Sequence, residues 1–276
     1  MVSFRNSQFQ AILVGMVIAD AVSQGQLPWG TRGAAARPPR AGAAIAIVQD
    51  DWCHAIAAAL TAPLTSQMSE AAIATEPPTI AALLTDLPQR LSTLDQRPLP
   101  AALGDENPPL PQVTISAIFD ACLQASLQQD AATLYALGQQ LSPAPSGAQP
   151  QSSPAAGLST ALEALLTAQG DFQLAVGQSL QLSTPPPGSV ILTAILSASW
   201  GDLPSIPMRY RHWLQQPSPP RQGWLQQRWH CSTGNQLALW SETLWQRWSG
   251  QYSGNPERSP LVAIQLPNLS SNCAFL

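Results

Sequence analysis

Apolar positions recur at intervals of three and four along most of this chain, the spacing that lines one face of an α-helix. Phe9, Ile12, Leu13, Met16 and Val17 form such a stripe. They predict a first helix from Ser7, as N-cap, to about Val22. A helix is expected over Ala43–Leu60, with an extended Ile45 to Val48 leading into it as the alternative. Ile80, Leu83, Leu84, Leu87 and Leu91 predict another over Thr79–Leu94, which Pro88 should kink or split. The span Val113–Leu141 reads as two helices, the second capped by Asp130. Further helices are expected at Leu158–Ala168, at Phe172–Leu182 behind the cap Asp171, at Ser189–Trp200 and at Pro204–Leu214. Gln236–Ser249 carries Leu237, Trp240, Leu244, Trp245 and Trp248 on one face. Only Leu261–Leu266 suits a strand. The pattern predicts an all-α protein of about ten helices.

The breaks between these runs are Gly- and Pro-rich. Gly25, Pro28, Gly30 and Gly33 interrupt the chain after the first helix, and Pro98–Pro111 is irregular. Residues 142–155, rich in Pro, Ser and Gln, read as a flexible surface insertion. The length allows one large domain or two small ones. The expectation is a single compact multi-helix domain over residues 1–276.

Composition narrows the function classes. Apolar residues make up 45% and charged residues only 10%, against about 25% charged in ordinary globular proteins. All twelve cationic residues are Arg, the net charge is -4, and no basic cluster exists, which argues against nucleic-acid binding. Cys53, Cys122, Cys231 and Cys273 have no Cys-x-x-Cys spacing. They are expected to be buried thiols in a reducing, cytoplasmic setting. The run Ala11–Val22 is shorter than the ~20 residues of a membrane span and contains Asp20. It reads as a buried helix, with an exported leader as the rival reading.

Candidate chemistry is sparse. Asp50 and Asp51 are adjacent carboxylates ahead of an Ala-rich helix; they could bind a divalent cation or cap that helix. His54, His212 and His230 are isolated and read as packed or surface imidazoles. Six of the nine tryptophans fall between Trp200 and Trp245, interleaved with Arg209, Arg211 and Arg228. At helical spacing such residues form core with an Arg rim; stacking or cation–π sites are the alternative.

Three stretches give the chain a resemblance to the ADP-ribosylglycohydrolase family. The run Phe9–Val22, with Ala19-Asp20-Ala21 near its end, resembles the family's opening helix, which ends in Gly-Asp-Ala. Gln49-Asp50-Asp51-Trp52 falls where the family has Thr-Asp-Asp-Thr. Pro185-Pro186-Pro187-Gly188 and the helix running on to Ile206-Pro207 resemble the late Gly-Gly-Asp-Thr-Asp-Thr motif and its helix. The likeness implies an all-α fold and a dinuclear magnesium site at which Asp50 and Asp51 would be metal ligands. It also implies an ADP-ribose-like ligand, or a protein bearing one, as partner.

The departures have chemical consequences. Prolines occupy the place of the late carboxylates and offer no side-chain oxygen, while Mg²⁺ demands near-octahedral oxygen coordination. Gln49 and Trp52 replace the flanking threonines. Asp105, Glu106 and Asp202 are further carboxylates that folding could bring back to the site. Asp20 reads as a residue that orders a helix end. The expected protein is a non-catalytic binding or scaffolding relative with a degenerate metal site. The alternative is an active magnesium-dependent hydrolase that removes ADP-ribose.

Overall fold

The computed structural model describes residues 6–29, 52–61, 80–93, 115–141, 153–182, 184–186, 188–216, 218–231 and 233–249. The elements are α1 (Asn6–Ser23), α2 (Trp52–Thr61), α3 (Ile80–Thr85), α4 (Leu87–Thr93), α5 (Ile115–Gln128) and α6 (Ala131–Leu141). They continue with α7 (Pro154–Thr167), α8 (Phe172–Gln181), α9 (Ser189–Ser205), α10 (Met208–Gln215), α11 (Pro219–Trp229) and α12 (Gly234–Ser249). Among the described residues there is no strand, so the all-α expectation holds. Leu261–Leu266 lies outside them, as do residues 43–51 at the head of the expected second helix.

The bundle is built on α9. Helices α1, α5, α7 and α8 all pack against it, and α12 closes the far side of α1. A helix surrounded on all sides has no polar face to keep. Accordingly α9 shows no amphipathic stripe, and every residue from Ser189 to Ser199 except Ile191 is buried. The hydroxyls of Thr193, Ser197 and Ser199 are satisfied locally. Thr193 donates to the Ser189 carbonyl (2.8 Å) and Ser197 to that of Thr193 (2.6 Å). Ser179 of α8 and Thr193 share a hydrogen bond of 2.7 Å.

Helix α1 runs antiparallel to α9. Ser7 of α1 meets Asp202, and Gln8 donates to the carbonyls of Leu127 and Ser199 (3.2 and 3.3 Å). One helical turn and more along, Gly15 faces Ala194 and Ala198 so closely that a Cβ there would lie 3.0 Å from the Ala198 Cβ. Small residues on both helices permit that approach. Among the described residues no single helix is long and apolar enough to cross a membrane, and α1 is buried inside the bundle.

Local signals set most boundaries. Asp130 accepts from the Thr133 amide (3.1 Å) and hydroxyl (2.6 Å), Ser153 from the Ala156 amide (3.1 Å) and Asp171 from the Leu174 amide (2.8 Å). Pro88 splits the expected Thr79–Leu94 helix: α3 ends at Thr85, and Pro88 is the second residue of α4, where its missing N–H costs nothing.

Four expectations need correction. Ser7 is not the N-cap of α1, which starts at Asn6; the Ser7 hydroxyl donates instead to Asp202 (2.8 Å). The insertion does not reach residue 155, because Ser153 caps α7 and Pro154 is its first residue. The helix after Gly188 does not stop at Trp200. It continues past a break at Asp202 (φ 63°, ψ 178°), and α10 then departs at 89°. Finally, α11 had no counterpart among the expected helices, although Pro219 and Pro220 are a helix-start signal.

Candidate functional site

The predicted metal ligands Asp50 and Asp51 lie outside the described residues. The structure begins one residue later, at Trp52, where α2 starts. Its second residue, Cys53, is fully buried and places its thiol 3.9 Å from the Asp20 carboxylate.

Asp20 is the chemical centre of this end of the molecule. It sits in the last turns of α1, where apolar packing leaves it 1% exposed. A carboxylate in that position must be paired. Arg228 of α11 supplies the pair: Nε donates to Oδ2 at 2.7 Å and an Nη donates to Oδ1 at 3.0 Å. The next residue, Trp229, donates its indole N–H to Oδ2 at 2.9 Å. Arg228 also lies in the last turn of α11, where a cation complements the helix dipole. Asp20 thus ties the ends of α1 and α11 to the first turn of α2, which is the ordering role expected of it.

The second half of the site is the head of α9. Thr184 is exposed, and Pro185, Pro186 and Gly188 are half-buried. Gly188 occupies the N-cap position at φ 71°, a left-handed conformation that glycine alone adopts without cost, and no side chain caps the helix. Ile80 of α3 covers Gly188. Helix α2 also packs on α3, so α2 and the head of α9 both meet that helix.

Does this donor set suit magnesium? Asp20 accepts three N–H bonds, and a cation beside it would stand next to a guanidinium. Pro185 and Pro186 contribute no side-chain oxygen. Asp202 lies beside Ser7, thirteen residues before Asp20 on α1; at 1.5 Å per residue that is about 20 Å away. Asp105 and Glu106 lie outside the described residues. Among those residues, no three His, Cys, Asp or Glu side chains stand together. The described residues do not fit a magnesium cage by themselves, because an octahedral hard cation needs several uncommitted oxygens.

The other polar candidates resolve into structure. Burial raises the Cys231 thiol to about 12 and Cys122 higher still, so both stay protonated at neutral pH. Cys273 and the side chain of His54 fall outside the described set. His212 pairs with Gln216, and His230 ends α11 in a left-handed turn. Trp229 and Trp240 are core, whereas Trp200, Trp213, Trp224 and Trp245 pack against it from the rim. Arg221 lies 4.7 Å over Trp213 and donates to its carbonyl at 2.8 Å, closing the end of α10. Arg209 lies over Tyr210, whose ring stacks on Trp29 at 4.7 Å.

Sequence reasoning missed the Asp20–Arg228–Trp229 constellation. One signal was available: a lone Asp in an otherwise apolar helix needs a cation, and this chain has only Arg. Compared with protein-family profiles, curated proteins and solved structures, the chain matches none.

Proposed function

We propose that this protein is a non-catalytic relative of the ADP-ribosylglycohydrolases, a helical bundle whose metal site has degenerated and which binds an ADP-ribose-like molecule or a protein. The observation that carries the reading is the commitment of Asp20. Its carboxylate is neutralised by a bidentate Arg228 and the Trp229 indole, within the Ala-Asp-Ala stretch that resembles the end of the family's opening helix. The all-α architecture supports it. Pro185 and Pro186, lacking side-chain oxygens, stand in for the late acidic wall. Buried free thiols at Cys53, Cys122 and Cys231 suit a reducing, cytoplasmic setting.

Calorimetric titration with Mg²⁺ and ADP-ribose tests the proposal. The expected result is no coupling between the two ligands, and tight magnesium-dependent binding rejects it. Release of free ADP-ribose from a modified protein, lost in Asp51→Asn, would replace it with the active-hydrolase reading.

A further inference from the structure

The head of α9 has the wrong chemistry for a cation and the right chemistry for an anion. A helix of 17 residues presents about half a positive charge at its N-terminus, together with amides that have no intrahelical acceptor. Side chains cap α6, α7 and α8 through Asp130, Ser153 and Asp171, whereas α10 and α11 have no side-chain cap. For α9 the N-cap is Gly188, which has no side chain, and the preceding Pro185 and Pro186 carry no polar group. The Ser189 amide is bonded to the Pro186 carbonyl (3.1 Å), and the Gly188 carbonyl accepts from Leu192 (2.9 Å). No capping oxygen reaches the next amides, those of Val190 and Ile191.

A second observation, independent of the helix, points to a ligand. The Ser189 side chain is fully buried, and its hydroxyl has no hydrogen-bond partner. A buried hydroxyl left unpaired carries a desolvation penalty, so native proteins nearly always satisfy one. Cα–Cβ bonds in a helix lean toward its N-terminus, so the Cβ that carries this hydroxyl, on the first residue of α9, leans to the same pole as the amides. Gly188 and the two prolines above it are only half-buried, and Thr184 is exposed. The chain that leads into that pole is thus partly open to solvent.

We infer that the head of α9, from Gly188 to Ile191, binds a phosphate-type oxyanion, with the Ser189 hydroxyl and the first-turn amides as its donors. An oxyanion suits both donor types, since its oxygens accept from several N–H and O–H groups at once. The inference does not depend on kinship with the ADP-ribosylglycohydrolases, because it uses only this chain's amides and one hydroxyl.

The test uses the full chain with inorganic phosphate and pyrophosphate as probes and chloride at matched ionic strength as control. Phosphate or pyrophosphate should raise the melting temperature in proportion to the logarithm of its concentration, and chloride should not. Ser189→Ala should weaken the dissociation constant for the better probe about tenfold, the order expected for one hydrogen bond to a charged group. Ser189→Thr, which keeps the hydroxyl, should bind within about threefold of the wild type. Without probe, Ser189→Ala should melt no lower than the wild type, since it removes an unsatisfied group. The inference is overturned by phosphate and pyrophosphate effects no larger than that of chloride, by equal affinity in wild type and Ser189→Ala, or by a lower melting point of unliganded Ser189→Ala. A chain that binds pyrophosphate but not ADP-ribose keeps this inference and removes ADP-ribose from the proposed function.

Discussion

Replacing Asp20 by asparagine removes the charge that holds Arg228 while leaving the volume almost unchanged. The substituted amide keeps one acceptor oxygen but turns an N–H₂ group toward a guanidinium that also donates. Removing one partner of a buried ion pair costs roughly 3–5 kcal/mol. Here the Arg228 side chain is 22% exposed and can regain some water, so the lower end applies. The bond from Trp229 is also weakened, because its acceptor becomes a neutral amide oxygen in place of a carboxylate. The expected destabilisation is about 3 kcal/mol, a large share of the roughly 5–15 kcal/mol that stabilises a native protein. Urea unfolding followed by tryptophan fluorescence measures it, with a lower midpoint at an unchanged slope expected. Asp20→Leu combined with Arg228→Met supplies the control, because an apolar replacement of the whole pair should recover most of the loss. Two results would refute the reasoning: Asp20→Asn within about 1 kcal/mol of wild type, or a double variant less stable than either single change.

The same packing has other consequences. Gly188→Ala must place a Cβ in a left-handed backbone and 2.5 Å from the Ile80 Cγ2. A loss of about 1–3 kcal/mol in urea unfolding is expected, and Ile80→Ala in the same chain should relieve only the steric part. Asp130→Ala removes the cap of α6 and should cost about 1 kcal/mol. The Thr133 hydroxyl and amide hold the Asp130 carboxyl below its usual range. Its stabilisation is therefore complete above the unfolded pKa near ~3.9 and is lost as pH falls through the lower folded value. Urea titrations across that acid window should show a shallower pH dependence in Asp130→Ala. For the thiols, burial keeps Cys122 and Cys231 protonated. A disulfide reagent at neutral pH should leave both unmodified in the folded protein and label them once urea unfolds it; rapid native labelling of either would contradict their burial.

The helices were readable from sequence because their causes are local. Apolar spacing, the caps Asp130 and Asp171, and the split at Pro88 each act within a turn or two of the chain. Hence the all-α class and most helix positions followed without coordinates. What the sequence could not supply is partnership across distance. Asp20 and Arg228 are 208 residues apart, and nothing in either neighbourhood names the other. Only the packing of α1 against α9, and the placing of α11 at the end of α1, decides which cation neutralises that buried carboxylate. The break at Asp202 is of the same kind, since Ser7, from the opposite end of the chain, accompanies a backbone conformation that local preference would reject. Likewise, Ser189 reads in sequence as one small polar residue in an apolar run. Burial on every side of α9 is what turns its unpaired hydroxyl into a statement about a ligand.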